Sequence, residues 1–198
     1  MRLAPAALLV TAAALAAGCV TTEQKAAAVN DINYEFRLEY ERILLEKGTR
    51  TYNVPRNNAF AAMRGALTRI GMRVADESPE IGYVNVRGPA PLPLAAPEWR
   101  VAAEQDLPQA RELISRHVGV LANLFNFEPE GLDVVINGTA VEVRGGTEVS
   151  FTVRMRETAP PRSGIPRREY LPPTAVRMGL DKIWREVDRD LRDATWRR

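Results

Sequence analysis

The stretch AVEVRGGTEVSFTVRMRE, residues 140–157, decides the fold. Between Glu148 and Arg156, Val149, Phe151, Val153 and Met155 alternate with Ser150, Thr152, Arg154 and Arg156. A period of two is that of a strand with one apolar and one wet face. Gly145-Gly146 joins it to the strand-like Ala140 to Val143. So short a link forces antiparallel neighbours, because a parallel pair needs a crossover of a dozen residues or more. Ser78-Pro79-Glu80 imposes the same geometry on Met72 to Ala75 and Ile81 to Arg87.

Outward from this hairpin, Leu132 to Ile136 is strand-like, and Asn137-Gly138 reads as a two-residue turn or a bulge. Thr49 to Val54 reads as a further strand. Pro55 opens a helix carrying Ala59, Met63, Ala66, Leu67 and Ile70 on one stripe, with Gly71 past its end. Pro108 to Phe125 reads as a second helix, with Ala110, Leu113, Ile114, Val118 and Leu121 on one face. A last helix runs from about Pro173 to Ala194, where Val176, Leu180, Ile183, Val187 and Leu191 recur every three or four residues. Asp31 to Lys47 fits two periods. Val29, Ile32, Phe36, Tyr40 and Ile43 have helical spacing, while Ile32, Tyr34, Phe36, Leu38 and Tyr40 alternate as in a strand. The segment is longer than most strands and free of Gly and Pro, so the expectation is a helix. Pro89, Pro91, Pro93 and Pro97 make Gly88 to Pro97 a stiff, extended crossover. Short turns outweigh the alternation of strands with helices. The expected fold is a single α+β domain, an antiparallel sheet with helices packed on one face.

The N-terminus carries an address. Arg2 is followed by an apolar run from Leu3 to Ala17, then by small residues before Cys19. Charge, short apolar helix and small-residue site are the parts of an export signal. The run is shorter than the ~20 residues that span a bilayer. Ala16-Ala17-Gly18-Cys19 resembles the lipobox of bacterial lipoproteins, with Ala16 where leucine is usual and Leu15 one place upstream. The resemblance implies cleavage before Cys19, diacylation of its thiol and acylation of its new amine, and so lipid attachment at Cys19. An ordinary secretory signal is the alternative. In Gram-negative lipoproteins aspartate after the cysteine marks retention at the inner membrane. Val20 stands there, which favours the outer membrane, with the protein facing the periplasm. The expected organisation is a signal peptide at 1–18, a lipidated tether at 19–30, polar and Ala-rich from Thr21 to Ala28, and a periplasmic domain at 31–198. In architecture such a domain resembles the helix-on-sheet domains of envelope-assembly lipoproteins.

With Cys19 acylated the mature chain keeps no thiol, since Cys is used once. Disulfides, thiolate metal sites and cysteine nucleophiles are then excluded. His117 is the only histidine, so no HExxH or two-histidine metal triad exists. No GxSxG elbow or GxxxxGK loop is present. No cofactor and no metal are expected. A net charge of +2 from interspersed charges, on an exported chain, argues against nucleic acid. What remains is a polar surface. Strand alternation puts Arg154 and Arg156 on one side. The Pro-, Arg- and Gly-containing loop from Pro160 to Pro173 brings Arg162, Arg167 and Arg168, with Tyr170 beside them. Folded back, it would converge guanidinium groups near an aromatic ring, which suits phosphate or carboxylate groups. The competing reading pairs Arg154 and Arg156 with Glu142, Glu148 or Glu169 as a solubilising face.

Three function classes follow. The first is a non-catalytic lipoprotein of the outer membrane, held by its acyl chains and binding an envelope partner protein or supporting assembly. The second is a binding module for an anionic amphiphile. The third is a hydrolase with a carboxylate pair, though no spacing singles one out.

Overall fold

A computed structural model describes residues 20–158 and 164–195. The expected signal peptide, Cys19 and Arg162 lie outside them. In order come α1 (Thr22–Lys47), β1 (Thr49–Tyr52), α2 (Arg56–Arg69), β2 (Arg73–Ser78), β3 (Tyr83–Pro89), α3 (Ala96–Val118), a 3-10 helix (Gly119–Leu124), β4 (Leu132–Val143), β5 (Gly146–Glu157) and α4 (Pro173–Thr195). The strands form one sheet in the order β1-β5-β4-β3-β2, every pair antiparallel. This is the single α+β domain that the turns imply, with the helices on one face.

The long hairpin β4–β5 sets that arrangement. Its inner face presents Val134, Ile136, Val149, Phe151 and Val153, all buried. α2 and α4 cover them with Met63, Leu67, Leu180, Ile183 and Trp184, each at 0% exposure, so the layer between sheet and helices is filled. The Trp184 ring meets Phe151 edge-on at 4.8 Å, and its Nε1 donates to the Lys47 carbonyl at 2.6 Å. That bond ties α4 to the end of α1. Among the described residues no helix is long and apolar enough to cross a membrane.

Four expectations need correction. The tether from Thr21 to Ala28 is instead the cap and opening turns of α1. Thr21 Oγ1 accepts from the Gln24 amide, the Gln24 side chain returns the bond, and Ala28 is already core. The rest of α1 is helical, as expected: Tyr34 and Leu38, the side chains that only a strand would bury, are exposed at 62% and 42%. The second correction is at Asn137-Gly138, which neither turns nor bulges, since β4 runs unbroken through it in register with both neighbours. Gly138 faces inward, where a Cβ would lie 2.6 Å from Met63 Sδ. Glycine is there for close approach, not for a turn. Third, α3 starts at Ala96, twelve residues before Pro108. Pro97 occupies its first turn, Glu98 accepts from the Ala95 amide at 2.6 Å, and Pro108 is accommodated inside the helix on its exposed side. Beyond Val118 the expected helix gives way to the 3-10 turn, and Leu121 is exposed at 42%. Fourth, the proline run is not extended. Leu92 and Leu94 donate back to Pro89 and Pro91, forming successive tight turns, and Pro91 and Pro93 follow cis peptide bonds.

Candidate functional site

The outer face of the sheet carries no helix. Its rows can be read across the strands from their register. In one row Thr49 meets Ser150, Ser150 meets Thr139 and Thr139 meets Tyr83. In the next, Thr152, Asn137 and Asn85 lie side by side. Their side chains are joined. Thr139 Oγ1 and Ser150 Oγ share a bond of 2.8 Å, Asn85 Nδ2 donates to Asn137 Oδ1 at 2.7 Å, and Asn137 Nδ2 donates to Thr152 Oγ1 at 3.2 Å. Such cross-strand pairs stiffen a face without charging it.

The following row is different. Arg154 stands opposite Val135, Val135 opposite Arg87, and Arg87 opposite Arg73. Arg156 lies one row beyond, opposite Asp133. All four arginines are exposed, and none forms an ion pair among the described residues. The competing pairing of Arg154 and Arg156 with Glu142, Glu148 or Glu169 is absent there. Asp76 and Asp133 flank the row without closing on it. Like charges directly opposed across strands destabilise a sheet by roughly 0.2–1 kcal/mol. Elsewhere the chain interleaves its charges: Arg37 bonds Glu41 and Arg42 bonds Glu39, both at 2.8 Å on α1.

Arg154 is held in place. β1 pairs with β5 as far as Ser150, Phe151 N donates to the Gly48 carbonyl at 2.8 Å, and further along this edge the segment around Glu169 meets β5. Met155 N donates to the Glu169 carbonyl at 3.3 Å. Asn33 on α1 clamps the same segment, with Nδ2 donating to the Arg167 carbonyl at 2.8 Å and Oδ1 accepting from the Glu169 amide at 3.1 Å. This brings Tyr170 against Tyr40, ring centroids 5.4 Å apart. The Arg154 guanidinium lies 5.7 Å from the Tyr170 ring and 5.9 Å from the Tyr40 ring. Burial raises the Tyr40 hydroxyl above its ordinary value, and the positive charge of Arg154 opposes that shift. A guanidinium lying against ring faces still has in-plane N–H groups that can turn to an anion.

Of the expected site residues, the fold therefore joins Arg154 to Tyr170 and keeps Arg156 on the same face. Arg168 is diverted: its Nε bonds Glu157 at 3.1 Å. Arg167 is exposed, and the Asn33 bond to its carbonyl fixes its backbone. Sequence reasoning missed Arg73, Arg87, Tyr40 and Asn33. Arg73 and Arg87 join the row only through strand register, and a bulge between Val74 and Asp76 sets that register.

Two other features bear on chemistry. A groove of about 780 Å³ between α3 and residues 126–130 holds Trp99, Phe127, Glu104, Glu128 and Glu130. The three carboxylates are exposed. They lack the contrast of apolar and polar surroundings that makes one carboxyl an acid and its neighbour a base. His117 Nε2 meets Asp31 Oδ2 at 2.8 Å, joining α3 to α1. Among the described residues no three histidine, cysteine or acidic side chains cluster as metal ligands would.

No family model, no curated protein and no solved structure matches this chain.

Proposed function

We propose that this chain is a non-catalytic lipoprotein of the outer membrane, acylated at Cys19 and facing the periplasm, whose open sheet face binds an acidic partner protein of the envelope. The observation that supports this reading is the row Arg73, Arg87 and Arg154, with Arg156 beside it, held without ion pairs among the described residues on an open face. Fold stability alone disfavours the directly opposed pair Arg73 and Arg87, whereas an acidic partner would neutralise them together with Arg154. An open, stiffened, polar platform suits a protein surface better than an acyl chain, which needs an apolar cavity.

The test compares full-length acylated protein with a variant carrying Arg87→Ala, Arg154→Ala and Arg156→Ala. Arg144→Ala, on the exposed hairpin turn outside the row, serves as control. Captured from solubilised envelopes, a partner should be retained by wild type and the control and lost from the triple variant. Raising salt should release it, because exposed charges are screened over ~8–10 Å at ordinary ionic strength. The triple variant should stay folded, losing at most about 1 kcal/mol from the contact of Arg154 with the Tyr40 and Tyr170 rings. Capture unchanged by the triple substitution would overturn the reading. Charge-dependent binding to phosphatidylglycerol vesicles, with no protein captured, would replace the partner with an anionic amphiphile.

A further inference from the structure

Beside the N-terminus of α1 lies an apolar groove of about 650 Å³. Val20, Val29 and Ile32 form one wall, and Ile114, Leu121 and Leu124 the other. Lys25 and Arg168 stand on its rim. The 3-10 helix that closes it turns Val120 and Leu124 outward, at 83% and 78% exposure, with Leu121 at 42%. Isolated apolar side chains on a surface are ordinary; several together along a groove mark a contact surface.

Position says what covers it. Val20 itself lines the groove, and the capping box at Thr21 and Gln24 fixes the chain there. Cys19 precedes Val20 directly, and consecutive Cα atoms are only ~3.8 Å apart. A lipid on Cys19 therefore has no tether to lift the domain from the membrane.

We infer that the face formed by Val20, Val120, Leu121 and Leu124 rests on the lipid bilayer, so that the domain docks in a fixed orientation. The inference rests on the reading of Cys19 as the anchor. The 3-10 side chains enter the boundary between headgroups and acyl chains, where apolar faces bury by ~5–10 Å. Lys25 then lies at the level of the lipid phosphates. The bilayer is a better occupant than the protein's own acyl chain, because leaving the bilayer for an open groove would wet one side of that chain.

Single cysteines test this, since acylation blocks the native thiol. Val120→Cys, Leu124→Cys and Leu45→Cys are each placed in the full-length chain, labelled with a fluorophore and reconstituted in phosphatidylcholine vesicles. Leu45 is 90% exposed near the far end of α1, so its label reports open water. Labels at 120 and 124 should be quenched by doxyl-phosphatidylcholine, and iodide should quench them at least about threefold less than the label at 45, as burial in the interface requires. Equal iodide quenching at all three positions in acylated protein would overturn the docking and leave the anchor standing. Shielding from iodide without quenching by doxyl lipid would overturn it in favour of a protein cover, such as a second copy. Intact mass without acyl groups would remove the anchor, and the docking with it.

Discussion

Asp106 is a carboxylate on α3 that works for another helix. It is 8% exposed, and it accepts from the Thr174 amide at 2.8 Å and the Thr174 hydroxyl at 2.7 Å. It thus caps the first turn of α4, whose amides have no partner within their own helix. Burial pushes its carboxyl above the ordinary aspartate value, and the Thr174 bonds only partly offset this. A raised acid is one whose charged form is disfavoured by folding. Its contribution to stability is full below the unfolded value and falls as pH rises through the folded one. Wild type should therefore lose stability relative to Asp106→Asn as pH rises from the ordinary aspartate value through the raised folded one, with no further change above it. Asp106→Ala, which leaves the Thr174 amide without its acceptor, should cost ~1–3 kcal/mol at neutral pH. Urea denaturation across the pH range checks both. A difference from Asp106→Asn that does not vary with pH would show that burial is not setting this group.

At the scale of elements, periodicity was legible wherever one face is buried and the other is wet. The alternation of β5 and the stripe of α4 both appear as read, and the helical set in α1 prevails because Phe36 and Ile43 are core while Tyr34 is not. Punctuation by Gly and Pro was less legible, because each has more than one use. Gly138 allows Met63 to approach a strand rather than turning it, and Pro97 rather than Pro108 occupies the first turn of α3. The candidate site shows the same division. Alternation placed Arg154 and Arg156 on one face, but Arg87 and Arg73 reach it through pairing across two turns and a bulge, which no local pattern encodes. The α4 stripe carries the clearest energetic consequence. Leu180 and Ile183 are both fully buried against the sheet and α2. Leu180→Ala or Ile183→Ala should each cost ~2–5 kcal/mol in urea melts. Costs below ~0.5 kcal/mol for both would mean that α4 does not hold the core.

For the molecule as a whole, the proposed anchor at Cys19 should be separable from the fold although the two adjoin. Among the described residues, the first turn of α1 is capped by its own Thr21 and Gln24, and the core begins at Ala28. Acyl chains on the proposed anchor would contribute membrane affinity at ~0.8 kcal/mol per buried CH₂ rather than stability of the core. Cys19→Ala should therefore shift the protein from membrane to soluble fractions after export, while the unfolding free energy from urea melts stays within about 0.5 kcal/mol of the wild-type value measured in detergent, the range expected for changes outside the core. The variant should also keep its open arginine face and lose only the membrane orientation proposed above. Fractionation, intact mass and urea melts on one preparation separate the possibilities. Wild type with acyl mass and a soluble, equally stable variant fits an anchor beside an independent fold. A variant that stays with the membrane would mean that another segment holds the protein there, and one that melts early would mean that the lipid end belongs to the core.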